Sequence, residues 1–317
     1  MSFNVVTGAC GLIGRRLVAT LRGAGHWVRG VDLDLTVGGL DIDEFYKTDL
    51  RDPGACEAAL ELGPDDDDPQ IWHLAANHGG VAYSATSPAA LLADNVRIDA
   101  NVSTAASRFG YQRLLYASSV AVYPSGVTGC ATVEADAYPA NPPSEYGWSK
   151  LIGERIVAAA DGVNGLSTRI ARLENCYGPG EIDPSRASVI PSLCLRAAAA
   201  APGEPLEVWG RGEIERSFIW VDEAVEALAM VMAAGHPTPV NVSTGEYVTI
   251  QHLAGLVCQI ASKGLVPQMV PGPDGAPRDR LDATVLRSLG WQPTITLREG
   301  VSHLYRWIDQ MLVDEVP

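Results

Sequence analysis

Along the first 173 residues, short apolar runs alternate with stretches in which apolar residues recur every three or four positions. The runs Phe3 to Val6, Trp27 to Val31, Phe45 to Thr48, Gln70 to Leu74, Arg113 to Ala117 and Leu166 to Leu173 predict strands. The stretches near 12–21, 52–62, 88–109 and 144–160 predict helices. Short apolar strands are buried on both faces, and parallel neighbours need a helical crossover between them. The alternation therefore predicts an α/β fold built on a doubly wound parallel sheet.

Past Leu173 the punctuation changes, with Gly and Pro gathered in "YGPGEIDP", "APGEPLEVWGRG", "VPGPDGAPRDR" and "GWQPT". That shift predicts a smaller, loop-rich C-terminal α/β lobe. In this division residues 1–173 with about 210–235 form the larger domain, and about 174–209 with 236–317 form the lobe. One strand-helix unit, "RSFIWVDEAVEALAMVMAAG", is expected to rejoin the main sheet. No internal repeat interrupts this plan.

Composition narrows the partners. A chain of 317 residues with 47% hydrophobic content buries a large core. Its formal charge of −15, with no basic run, argues against nucleic acid and anionic membranes, so any anionic ligand must be met by a few placed groups. Six cysteines, at 10, 56, 130, 176, 194 and 258, form no CxxC pair, and no histidine cluster has metal-ligand spacing. The expectation is a reduced, cytoplasmic protein with no structural metal. The first residues lack a charged leader, and no apolar run approaches the roughly 18 residues that span a bilayer. "DDDD" at 65–68 reads as a solvated loop.

Two motifs carry chemistry. In "TGACGLIG", which follows the first strand and opens the first helix, Gly8, Gly11 and Gly14 allow a tight turn and close approach of a pyrophosphate. Its charge would meet the free N–H groups of the helix start, at Leu12 and Ile13. Asp32 closes the second strand 18 residues after Gly14, where a carboxylate accepts from an unphosphorylated adenosine ribose. The cofactor expected is NAD, held in a Rossmann-type arrangement. Asp49 and Leu50 either face the adenine or, in the case of the carboxylate, cap a helix.

The second motif is "SEYGWSK", which sets Tyr146 and Lys150 four residues apart on one helix face. A lysine ammonium there is expected to lower a phenol from its usual value near 10 toward working pH. The hydroxyl-bearing stretch "YASSVAVYP" places Ser119 27 residues upstream of Tyr146.

Taken with "HLAA" at 73–76, "ENCYGPGE" and "RSFIWVDE", these motifs resemble the extended short-chain dehydrogenase/reductase superfamily, over nearly the whole chain. Within it, "NHGGVAY", "EYGWSKLIGE", "NCYGPG", "EVWGRGEIERSFIWVDEAVEAL" and the C-terminal tail are most similar to GDP-mannose 3,5-epimerases. The resemblance implies a tightly held NAD that oxidises a nucleotide sugar at C4. Ser119 would hold the substrate hydroxyl, Tyr146 would be the base, and Lys150 would tune Tyr146 and grip the nicotinamide ribose. Leu74, Ala75 and Ala76 would line the cofactor. His78, Gly79, Gly80, Ser118 and Asn175 would face the substrate, with Arg216 and either Arg278 or Arg280 against its diphosphate. The resemblance also implies a homodimer joined through the helices near 94–109 and 144–160.

The departures carry as much weight. Where the 3,5-epimerases place a cysteine and a lysine to exchange protons at C3 and C5, this chain has Ala121 and Val189. Where 4,6-dehydratases place Asp-Glu after the catalytic hydroxyl, it has Val120-Ala121. C4-epimerases tolerate inert residues there. The leading expectation is therefore C4 epimerisation of a GDP-linked or similar hexose or heptose. The alternatives are 3,5-epimerase-like or dehydratase chemistry with an acid/base relocated to His78, Glu174 or Cys176, and, more remotely, a non-catalytic NAD-sensing protein. Arg211 is a further phosphate candidate, Trp209 either stacks on the base or is core, and Cys10 is packing.

Overall fold

The computed structural model describes residues 2–33, 40–63, 67–79, 83, 86–126, 129–180, 184, 187–236, 239–272, 275 and 277–314. Its main sheet holds seven parallel strands in the order β10-β6-β5-β4-β1-β2-β3. These are β1 (Phe3–Thr7), β2 (Trp27–Asp32), β3 (Glu44–Lys47), β4 (Gln70–His73), β5 (Arg113–Ser119), β6 (Ser167–Leu173) and β10 (Val240–Val242). The predicted strands fall within a residue or two of these bounds.

Side-chain alternation along the strands divides the sheet between two cores. Val6, Leu115 and Leu173 turn to the layer of α1 (Leu12–Gly23) and α6 (Val221–Ala234). Val5, Leu114 and Ile170 turn to α2 (Pro53–Leu60), α3 (Pro88–Phe109) and α4 (Glu145–Ala160). Each such side chain, taken from water, contributes about 1.5–3 kcal/mol. Strand order reverses between β1 and β4, and the carboxyl ends of strands flanking such a switch point form a crevice for ligands. The glycine loop leaves β1 there, and Leu74–Ala76 leaves β4 beside it.

A third core belongs to the second lobe. It gathers α5 (Val189–Ala199), β8 (Pro205–Trp209), β9 (Glu215–Trp220), α7 (Ile250–Ala261) and α9 (Leu297–Asp314). β9 pairs with β7 (Asn175–Tyr177) and β11 (Tyr247–Thr249), while β8 pairs with β12 (Val266–Val270). The short helix α8 (Thr284–Ser288) packs beside β10.

Two sequence expectations need correcting. The strand of "RSFIWVDE" does not rejoin the main sheet: β9 straddles the two units, with Ile219 in the first core and Phe218 and Trp220 in the third. Only the helix that follows it, α6, returns to the main sheet. The seventh strand is instead the three-residue "VNV" at 240–242, drawn from a stretch assigned by sequence to the lobe. So short a run has no period to read.

Candidate active site

The glycine loop is built by close packing. Gly8 has φ +71°, and a Cβ there would lie 2.9 Å from the Ala75 nitrogen; one on Gly14 would lie 2.0 Å from the Gly8 carbonyl oxygen. Both positions therefore require glycine. Gly11 is the N-cap of α1 and offers no side-chain acceptor, and no acidic residue occupies the first turn. The N–H groups of that turn, with Leu12 and Ile13 half-buried around them, fit a pyrophosphate. Asp32 accepts from the Cys10 nitrogen at 2.8 Å and the Leu33 nitrogen at 2.7 Å, so it ties the loop to the end of β2. Cys10 itself is buried, as its packing role required. These residues fit NAD.

The adenine-side pair is divided. The Leu50 side chain is buried in the core, and Asp49 receives a guanidinium from Arg51 at 2.7 Å, which holds its carboxyl below the usual range. The cap of α2 is Asp52, not Asp49: its carboxylate accepts from the Ala55 nitrogen at 2.7 Å. Leu74, Ala75 and Ala76 are half-buried, and the Thr7 hydroxyl oxygen accepts from the Leu74 and Ala75 nitrogens at 3.2 Å each. Asn95 then pins the continuing loop. It accepts from the Asn77 nitrogen at 2.6 Å and donates to Ser149 Oγ at 3.0 Å.

The candidate catalytic pair, Tyr146 and Lys150, sits where α4 meets the exit of β5. Ser144 caps α4 by accepting from the Gly147 nitrogen at 3.2 Å. A Cβ on Gly147 would lie 2.2 Å from the Ala121 carbonyl oxygen, so the helix start is seated directly on the strand exit. That seating sets the Tyr146 phenol beside Ser119, whose hydroxyl favours its ionised form. Ser119 also accepts from the Ala121 nitrogen at 3.1 Å, capping the 3-10 turn Val120–Val122. Ser118 faces the other way. It is buried and donates to Glu154, so its side chain does not face a substrate.

Lys150 is placed differently from expectation. Its Nζ donates to the Ala117 carbonyl at 2.9 Å and lies 4.7 Å from the centre of the Tyr116 ring. Burial lowers the ammonium. Burial also pushes the Tyr146 phenol up to about 12, with the Ser119 hydrogen bond opposing and the Asp99 charge adding to the rise. Lys150 is not among the groups acting on the phenol here, since its ammonium is turned to a backbone carbonyl.

Next to β5 opens a cavity of about 370 Å³ whose lining includes Val120, Glu174, Asn175, Arg216, Tyr247 and Arg278. Asn175 donates to the Ser217 carbonyl at 2.9 Å. Arg278 is brought down to about 10, first by burial and then by the charge of Arg216. Its Nε is buried without a hydrogen-bond partner. Two cations forced together in an otherwise acidic chain are suited to a diphosphate. Arg280 is not part of that wall: it lies outside, paired with Glu215 at 2.9 Å. Arg211 is exposed near Glu213, at 3.7 Å.

The candidate proton carriers separate likewise. His78 is exposed, and its ring centre lies 4.9 Å from that of Tyr146. Gly79 is buried against Tyr83, and Gly80 falls outside the described residues. Glu174 is buried, accepting from the Thr244 nitrogen at 2.9 Å and from Ser217, and burial raises it. Cys176 packs between two cores, and burial raises its thiol. Val120 lines the cavity, Ala121 is buried, and Val189 packs on the third core. Trp209 is 56% exposed, which removes the core reading. Asp68 of the acidic run pairs with Arg113, and among the described residues no cluster suits a metal ion.

Sequence reasoning missed the polar residues beneath this site: Asn95 and Asp99 on α3, His73, Glu154 and Arg172, all buried. The signal was present, since Asn95 and Asp99 share the stripe of Leu91, Ile98 and Val102, where an apolar face was expected.

A switch-point glycine loop, an acidic end to β2 and a Ser119–Tyr146 pair above a buried Lys150 define a Rossmann-type enzyme of the extended short-chain dehydrogenase/reductase type. The chain belongs to the NAD dependent epimerase/dehydratase family, whose model matches residues 4–243, and NAD is the cofactor of that family. It is 31% identical to GDP-mannose 3,5-epimerase of Arabidopsis thaliana, over 98% of this chain and 83% of that one. The fold is shared with UDP-glucose 4-epimerase of Thermotoga maritima bound to UDP-glucose, at TM-score 0.88 and 27% identity, covering 98% and 99% of the two chains. The Thermus thermophilus UDP-glucose 4-epimerase in complex with NAD follows at TM-score 0.84 and 26% identity, covering 96% and 98%. Among the described residues no helix is long and apolar enough to cross a membrane.

Proposed function

We propose that this protein is a nucleotide-sugar epimerase acting through a transient 4-keto sugar, with C4 inversion of a GDP-linked or similar hexose or heptose as its reaction. Bound NAD supplies a hydride acceptor and donor at C4. Tyr146 takes the proton of the C4 hydroxyl as the C4–H bond is broken, and Ser119 holds that oxygen by hydrogen bonding. The keto sugar would turn over in the cavity, and Tyr146 would return the proton to the C4 oxygen from the opposite face. Arg216, Arg278 and Asn175 hold the diphosphate end while the sugar rotates. Lys150 grips the ribose side of the cofactor in this reading, and Asp32 selects the unphosphorylated ribose.

The observation that carries the proposal is the position immediately beyond Ser119, where the cavity is lined by Val120, which has no proton to exchange. Incubation with candidate nucleotide sugars in deuterated water tests it. C4 inversion incorporates no deuterium at C3 or C5, and incorporation at either carbon defeats the reading. A second reading, 3,5-epimerase-like or dehydratase chemistry, is favoured by one contact, the His78 ring beside Tyr146. Deuterium at C3 or C5 that disappears in His78→Asn would support it. The reading includes a homodimer joined through α3 and α4, for which light scattering should give twice the chain mass.

A further inference from the structure

Beneath Tyr146 and Lys150 runs a line of buried polar side chains, each from a different element: Thr7, His73, Asp99 and Tyr116. Thr7 Oγ1 already accepts from the Leu74 and Ala75 nitrogens, so its own proton goes to His73 Nδ1 at 2.8 Å. His73 therefore carries its hydrogen on Nε2 and donates it to Asp99 Oδ1 at 3.0 Å. The Tyr116 hydroxyl donates to Asp99 Oδ2 at 2.8 Å. Both oxygens of Asp99 thus accept a hydrogen bond, the arrangement that suits a carboxylate. A Cβ on Gly153 would fall 2.2 Å from Asp99 Oδ2 and 2.2 Å from the Tyr116 hydroxyl, so α4 presses the cluster against β5. The same Tyr116 lies with its ring under the Lys150 ammonium.

We propose that Asp99 is a positioning residue: the buried anion that balances Lys150 across the Tyr116 ring and sets the pH range in which the Tyr146–Lys150 pair works. The other nearby anion, Glu154, is matched by Arg172, at 2.8 and 2.7 Å. The oxygens of Asp99 meet the His73 ring and the Tyr116 hydroxyl and no guanidinium, so its charge is left to act on the pair above. That charge favours the ammonium of Lys150 and opposes the phenolate of Tyr146, as the direction of each coupling records. Glu154 also favours the ammonium of Lys150, while Asp99 is the one anion among the influences on Tyr146; the other groups facing the pair are Ser119 and the rings of His78 and Tyr116. The inference rests on the catalytic roles given to Tyr146 and Lys150 above.

The test is Asp99→Asn, which keeps the shape and removes the charge. Tyrosinate absorbance of the NAD-saturated protein, minus that of the same protein carrying Tyr146→Phe, reports the Tyr146 titration without any substrate. The expected result is a shift of that titration to lower pH by about one unit. Both limbs of the pH profile of kcat move the same way, since the phenol ionises earlier and Lys150 loses its proton earlier. Asp99→Glu restores the charge and reverses the shift. A titration that stays in place or moves upward overturns the proposal. If Asp99→Asn does not accumulate folded, Tyr116→Phe keeps the ring and takes one donor from the carboxylate, leaving its charge less screened, so the Tyr146 titration should move to higher pH by a smaller amount, and a downward shift in that variant overturns the proposal. A missing shift with Tyr146→Phe still abolishing turnover refutes the role of Asp99 alone. A shift as expected with Tyr146→Phe still active refutes the catalytic reading instead.

Discussion

Glu154→Ala separates a buried ion pair from a surface one by measurement. Arg172 is only 2% exposed and makes four hydrogen bonds: to Glu154 Oε1 at 2.8 Å, Glu154 Oε2 at 2.7 Å, the Tyr123 hydroxyl at 3.0 Å and the Glu134 carbonyl at 2.6 Å. The substitution removes two of these bonds, strands the guanidinium without its counter-charge and leaves the Ser118 hydroxyl without its acceptor. Two charge-assisted bonds at about 1.5–3 kcal/mol each give about 3–6 kcal/mol. Breaking a buried pair by deleting one partner costs about 3–5 kcal/mol by direct comparison, and the two routes agree near 4. An exposed pair would contribute about 0–1 kcal/mol. Urea unfolding followed by far-ultraviolet circular dichroism, with the slope held in common, reads the difference. Removing both charges, Glu154→Met with Arg172→Met, should cost less than Glu154→Ala alone, because no lone ion is then buried. A loss below about 1 kcal/mol for Glu154→Ala refutes the argument.

Other outcomes follow from the same geometry. Tyr146→Phe should lower kcat by about 10²–10⁴-fold while NAD stays bound, seen by steady-state kinetics beside cofactor absorbance. Arg278→Met should raise KM for the nucleotide sugar by about tenfold or more yet leave the thermal midpoint equal or higher, since it removes a desolvated charge facing Arg216. A lowered midpoint with unchanged KM would make Arg278 a structural residue. Gly147→Ala should cost activity beyond its stability loss, because its methyl group would meet the Ala121 carbonyl at 2.2 Å and lift Tyr146 from Ser119. Kinetics at a temperature where the variant is fully folded distinguish the two effects.

The strands and helices of the first unit were legible because each has a period and length of its own, as in Arg113–Ser119 against Glu145–Ala160. The motif glycines were legible because only glycine fits where Gly8 and Gly14 pack. β9 and β10 were not, since their sheet membership depends on which core each face meets. The same limit hid Asp99 and Glu154. A sequence places a carboxylate on a helix face, but only packing reveals that the opposite wall offers His73 and Tyr116 to one and Arg172 to the other. It also hid the direction of Lys150, whose spacing from Tyr146 is right while its Nζ is committed to the Ala117 carbonyl.

That commitment bears on how the site reaches its working state. Burial pushes the Tyr146 phenol up to about 12, so its surroundings within the chain favour the protonated form. Ser119 is the one group among its named influences that favours the phenolate, while burial and Asp99 oppose it. In the proposed reaction Tyr146 therefore depends on Ser119, and on any positive charge brought near it, to act as a base.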